Sequence, residues 1–114
     1  VATADDYIVR ANALLALNAD TAYVSEAIDA LQMAKVRRPT GMDHYRPQVA
    51  ALLRIGRTAD ALGVLADYKA ALVESRRQLA TLQGEHVWQA TYSFINDETQ
   101  WVEDMIVKLG PMSH

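Results

Sequence analysis

Residues 61–109 read ALGVLADYKAALVESRRQLATL (61–82), QG (83–84) and EHVWQATYSFINDETQWVEDMIVKL (85–109). In the first limb Ala61, Leu65, Tyr68, Leu72, Ser75, Leu79 and Leu82 recur at alternating steps of four and three. In the second limb Trp88, Tyr92, Ile95, Thr99, Val102, Ile106 and Leu109 do the same. Both are heptad seams, and folding the chain back at Gly84 sets Leu79 against Tyr92, Leu72 against Thr99, Tyr68 against Val102 and Leu65 against Ile106. The spacing predicts a long antiparallel helical hairpin, about 58–82 and 85–109, with each limb roughly 37 Å long at 1.5 Å per residue.

Working outward, Thr3 and Asp6 have capping-box spacing and open a helix over 4–18, with Ile8, Ala11 and Leu15 on one face. The polar break at 18–21 starts a second helix, 21–36, that places Val24, Ala27, Ile28, Leu31 and Ala34 together. Pro39 stops it, because a pyrrolidine ring cannot continue the helix and biases the preceding Arg38 to extended angles. A short third helix begins at Asp43 or Arg46, tolerates Pro47 in its first turn and ends at Gly56. Thr58 is the expected cap of the fourth helix. The expected fold is therefore all-α: a four- to five-helix bundle in one domain, 1–114, with the hairpin packed on shorter N-terminal helices. Second apolar stripes, Val87, Phe94, Trp101 and Met105 in the last helix and Leu62, Ala66 and Val73 in the fourth, widen each apolar arc. Burying a Leu, Val or Phe contributes on the order of 1.5–3 kcal/mol, against roughly 0–1 kcal/mol for a surface ion pair, so packing rather than charge is expected to hold the fold.

Composition agrees. Half of the 114 residues are apolar and 22% charged, with only five Gly and three Pro, a balance that favours a packed helical globule over disorder or an all-β chain. Charged residues interrupt every apolar run well short of the eighteen needed to span a membrane, so the expectation is a soluble protein, cytoplasmic or exported after signal cleavage. Without cysteine there is no disulfide framework and no thiolate chemistry. The chain begins at Val1 rather than Met, which fits a mature terminus, a trimmed form or a domain cut from a longer chain. Eight Arg to three Lys, with abundant Ala, points by composition to a bacterial source.

The segment Leu52-Leu53-Arg54-Ile55-Gly56-Arg57-Thr58-Ala59-Asp60-Ala61-Leu62 is similar to the hinge of a tetratricopeptide unit, in which Gly separates two helices and a small residue five positions on lets them cross closely. Ser25-Glu26-Ala27-Ile28 resembles the second helix of an earlier unit, and Ala27 to Ala61 spans one repeat of that family. The resemblance covers about half the chain and implies a helical scaffold. The first unit lacks a Gly at its turn, most large apolar residues of the leading helices are missing, and residues 85–109 do not make a third unit, so a generic helical hairpin is the reading adopted.

Reactive constellations are not apparent. His44, His86 and His114 have no ligand spacing among them, and Gln89 and Ala90 stand where a partner of His86 would be. Asp5-Asp6 and Glu103-Asp104 are adjacent on helices and diverge, reading as solvated charge. No phosphate loop, Gly-x-Ser-x-Gly elbow or Gly-rich fingerprint occurs. The expectation is a non-enzyme without cofactor or metal.

The net charge of −3 is uneven: about −3 over 1–36, +4 over 37–57, zero over 58–82 and −4 over 83–114. Arg37, Arg38, His44, Arg46, Arg54 and Arg57 are therefore the candidate anion- or partner-binding residues, with pairing inside the fold the stronger reading of their charge. Arg76 and Arg77 are expected to lie near Asp97 and Glu98. Trp101, one place off the inner seam, is the candidate interface aromatic, with burial in the core favoured. Tyr68, inside the seam, needs a partner for its hydroxyl. The functional expectation is a small protein-interaction, adaptor or regulatory domain whose partner is a protein, with a homo-oligomer open. The alternatives are a ligand-sensing bundle holding a small anion or apolar molecule, and nucleic-acid binding through the Arg37–Arg57 segment, which a pI near 5.5 disfavours.

Overall fold

The computed structural model describes residues 2–17, 21–39, 41–81 and 89–110. It is all-α, with helices α1 (Ala4–Ala16), α2 (Thr21–Arg37), α3 (Tyr45–Arg54), α4 (Thr58–Ala80) and α5 (Gln89–Leu109), and no strand among the described residues. The chain divides into two compact units, 1–64 and 65–114, the boundary falling within α4.

In the first unit α1 opens on the expected capping box. The Asp6 amide donates to Thr3 Oγ1 at 3.3 Å, and the Thr3 amide donates to Asp6 Oδ2 at 2.9 Å. That backbone bond, with the Thr3 hydroxyl, holds the Asp6 carboxyl below its usual range. The helix ends at Ala16, two residues earlier than expected, and Leu17 is extended. α2 packs on α1 and buries the predicted stripe: Val24, Ala27, Ile28, Leu31 and Ala34 are all at most 9% exposed. α3 starts at Tyr45 rather than at Asp43 or Arg46, with His44 as its N-cap and no side-chain cap bond. Pro47 falls in the first turn, where the missing N–H has no helical acceptor to lose. At the other end Gly56 adopts φ +75°, a left-handed angle that Gly takes without a Cβ clash. Its amide reaches Leu53 O and the Arg57 amide reaches Leu52 O, at 3.1 and 2.9 Å, closing α3 with a Schellman motif. Thr58 is the first helical residue of α4 and not its cap; the Arg57 carbonyl accepts from Ala61, and its guanidinium reaches forward to Asp60 Oδ2 at 2.6 Å.

In the second unit α5 runs antiparallel to the Leu65–Ala80 part of α4, because contacts fall in α5 as they rise in α4. Tyr68 meets Glu98 and Trp101, while Arg76 donates to Asn96 Oδ1 at 2.6 Å. This is the register that the heptads predict. Leu65, Tyr68, Leu72 and Leu79 are buried on α4, and Ile95, Val102 and Leu109 on α5. Thr99, at a seam position, returns its hydroxyl to Ile95 O at 2.7 Å, which satisfies it within its own helix. The seam contacts expected at Leu82 and Trp88, and the Gln83-Gly84 turn, lie outside the described residues. The second stripes are only partly covered: Trp101 and Met105 are half-buried, whereas Val73 and Phe94 are 59% and 47% exposed. No helix among the described residues is long and apolar enough to cross a membrane.

Candidate functional site

The basic segment does not form one cluster. α3 carries Arg46 in its first turn and Arg54 in its last, about 12 Å apart along the axis at 1.5 Å per residue. Most of its charges already have local work. Arg38 Nη1 lies 3.3 Å from Asp5 Oδ1 and 3.9 Å from Asp43 Oδ2, tying the start of α1 to the loop before α3. A Cβ on Gly41 would come within 2.8 Å of Arg38 Cδ, so the bare glycine lets that side chain pass. Arg54 Nη1 donates to Leu15 O, a carbonyl in the last turn of α1, and places a cation at the negative end of that helix. Arg57 pairs with Asp60. Arg37 is exposed at the end of α2 without an ion pair among the described residues, and Arg46 is exposed. His44, in contrast, is 1% exposed and belongs to the interior of the first unit.

Of the hairpin arginines, Arg76 reaches Asn96, the neighbour of Asp97. Arg77 forms a two-pronged pair with Glu74 one turn back on α4, at 2.9 and 2.5 Å. Its hydrogen bonds and charge pull the Glu74 carboxyl below its ordinary value and raise Arg77. Glu98 is 9% exposed and accepts from the Tyr68 hydroxyl at 2.6 Å. Trp101 stands edge-on to the same Tyr68 ring, centroids 6.4 Å apart and planes at 61°, a favourable quadrupolar arrangement. Trp101 thus packs with a seam residue while keeping part of its surface half-exposed.

A concave surface that combines an apolar floor with unneutralised charge was not singled out by the sequence. Between α1 and α2 a groove of about 230 Å³ is lined by Tyr7, Arg10, Glu26, Asp29, Ala30 and Met33. Helical periodicity makes it: Tyr7 and Arg10 are one turn apart on α1, and Glu26, Ala30 and Met33 follow at steps of four and three on α2. Buried Ala30 lets the floor sink between the larger side chains, and Met33 stays 38% exposed at its edge. Arg10 and Glu26 bridge the two helices at 3.8 Å and neutralise each other. Asp29 is exposed and has no ion pair or hydrogen bond among the described residues. The groove therefore presents apolar contact and one free negative charge. The only trace of it in the sequence is the step from Tyr23 through Glu26 and Ala30 to Met33 beside the core stripe of α2, which does not by itself distinguish a cleft from a solvated face. Among the described residues no group of three or more His, Asp or Glu is placed to hold a metal ion. No protein-family model, curated protein or solved structure matches the chain.

Proposed function

We propose that this chain is a non-enzymatic protein-interaction module, and that the α1–α2 groove receives an amphipathic helix of a partner protein, with apolar side chains on Tyr7, Ala30 and Met33 and a Lys or Arg opposite Asp29. The observation that carries this reading is the pairing in one groove of an apolar floor with a single uncompensated carboxylate. Helix-in-groove recognition uses those two elements, apolar anchors at helical spacing for affinity and a flanking charge for register. The volume of about 230 Å³ is below the usual range for small-molecule pockets, roughly 300–1,000 Å³, which favours a side-chain-sized anchor over an enclosed ligand. The local partners of Arg38, Arg54 and Arg57 support this reading over anion or nucleic-acid binding through the basic segment.

The test is selection of a displayed library of amphipathic helical peptides against the intact protein. Enriched peptides are expected to share apolar residues at three- and four-residue spacing beside a Lys or Arg, and Asp29→Lys and Met33→Glu are each expected to weaken them about tenfold, close to 1.4 kcal/mol. Both positions are exposed, so folding should be little affected. Failure to enrich any such peptide, or binding indifferent to both substitutions, contradicts the reading.

A further inference from the structure

His44 is buried without being fully satisfied. Nδ1 lies 3.4 Å from Gln48 Oε1, one turn along α3, and the ring leans on Tyr45 with centroids 4.1 Å apart. An amide oxygen only accepts, so this contact assigns the imidazole hydrogen to Nδ1 and leaves Nε2 as a lone pair. Nε2 is buried and has no hydrogen-bond partner. A second proton has only that nitrogen to occupy, and there it would create a cation in the interior, which is costly. The surrounding charges do not remove the cost. Lys35 of α2 opposes the cation, while Gln48, the Gly41 backbone and Asp43 favour it, and burial outweighs them to push the imidazole below its ordinary value. Asp43 is already engaged by Arg38, which also holds Asp5 of α1.

We propose that His44 is an acid-sensitive latch: neutral, it closes the packing of α3 on α2 in the first unit, and taking up a proton at Nε2 releases the start of α3 together with the loop that precedes it. The direction follows from linkage. The unfolded or opened chain binds a proton at about 6.5, the folded unit only at lower pH, so the closed form is fully favoured above about 6.5 and loses ground as the pH falls through that value. One proton shifts the closed-to-open ratio by at most about tenfold per pH unit.

The experiment follows the ring carbons of His44 by NMR from pH 7.5 to 5, in a background carrying His86→Gln and His114→Gln, and measures amide-exchange protection of α3 over the same window after correction for intrinsic rates. His44 is expected to titrate below about 6.5, and α3 protection to fall with pH by up to about tenfold per unit, a slope that His44→Gln abolishes. Titration at or above the ordinary value, protection of α3 that ignores pH, or an unchanged slope in His44→Gln overturns the proposal. Should His44→Gln fail to fold, the ring titration and the exchange slope of the histidine-bearing protein decide it alone.

Discussion

Leu72→Ala is expected to lower the stability of the second unit by about 2–5 kcal/mol, whereas Val73→Ala, one residue on, should cost under about 1 kcal/mol. Leu72 is 0% exposed and Val73 59% exposed, although both are branched aliphatics on the same helix. Truncating the buried leucine removes its transfer free energy and leaves a cavity that the two seams can only partly close. Removing two methyl groups that already face water forfeits neither. Against a typical total of about 5–15 kcal/mol the first change is large enough to move a urea midpoint far to the left. Chemical denaturation followed by helical circular dichroism checks both. Equal costs at the two positions would mean that the heptad seam is not the face that holds these helices together.

The second large effect is expected at Tyr68→Phe, about 1–3 kcal/mol. The ring and its packing survive that change, but Glu98, 9% exposed, loses the hydroxyl that donates to it at 2.6 Å. Leaving a desolvated carboxylate short of a donor costs more than the bond itself is worth in water. Two companions separate this from a packing defect. Glu98→Gln retains an oxygen that accepts from Tyr68 and should cost less than Tyr68→Phe. Glu98→Leu, added to Tyr68→Phe, should recover part of the loss, since replacing both partners by apolar groups removes the buried acceptor that lost its Tyr68 donor. A double variant that is less stable than the sum of the two single changes would contradict this account.

These two residues show what the sequence carried and what it did not. The seams, the capping box at Thr3, the stop at Gly56 and the antiparallel register were legible because each depends on spacing along one helix or on a backbone angle only glycine takes easily. Tyr68 was legible as a hydroxyl in need of a partner, but the partner was not. Glu98, with Asp97, reads as a surface charge within reach of Arg76 and Arg77, and only the approach of α4 makes it an interior acceptor for Tyr68. His44 fails in the same way. As one residue of a basic segment it reads as surface charge, yet its location at the start of α3 turns it inward. Arg54 and Arg38 were counted as candidate binders because a formal charge says nothing about the carbonyl of Leu15 or the carboxylate of Asp5, which lie 39 and 33 residues away in sequence. The α1–α2 groove required knowing which helix faces its neighbour, since a stripe of Tyr23, Glu26, Ala30 and Met33 is as compatible with water as with a cleft.

The central claim is that residues on either side of the 82–88 segment form two limbs of one reversed rod. The chain has no cysteine, so Lys69→Cys with Glu103→Cys gives two unique labelling sites, both exposed and at matching depth in the register. With helix axes about 8–10 Å apart, spin labels at these sites should lie within about 25 Å in a pulsed dipolar measurement. A distribution centred near 50 Å, the length of a continuous helix between the same residues at 1.5 Å per residue, would contradict the account.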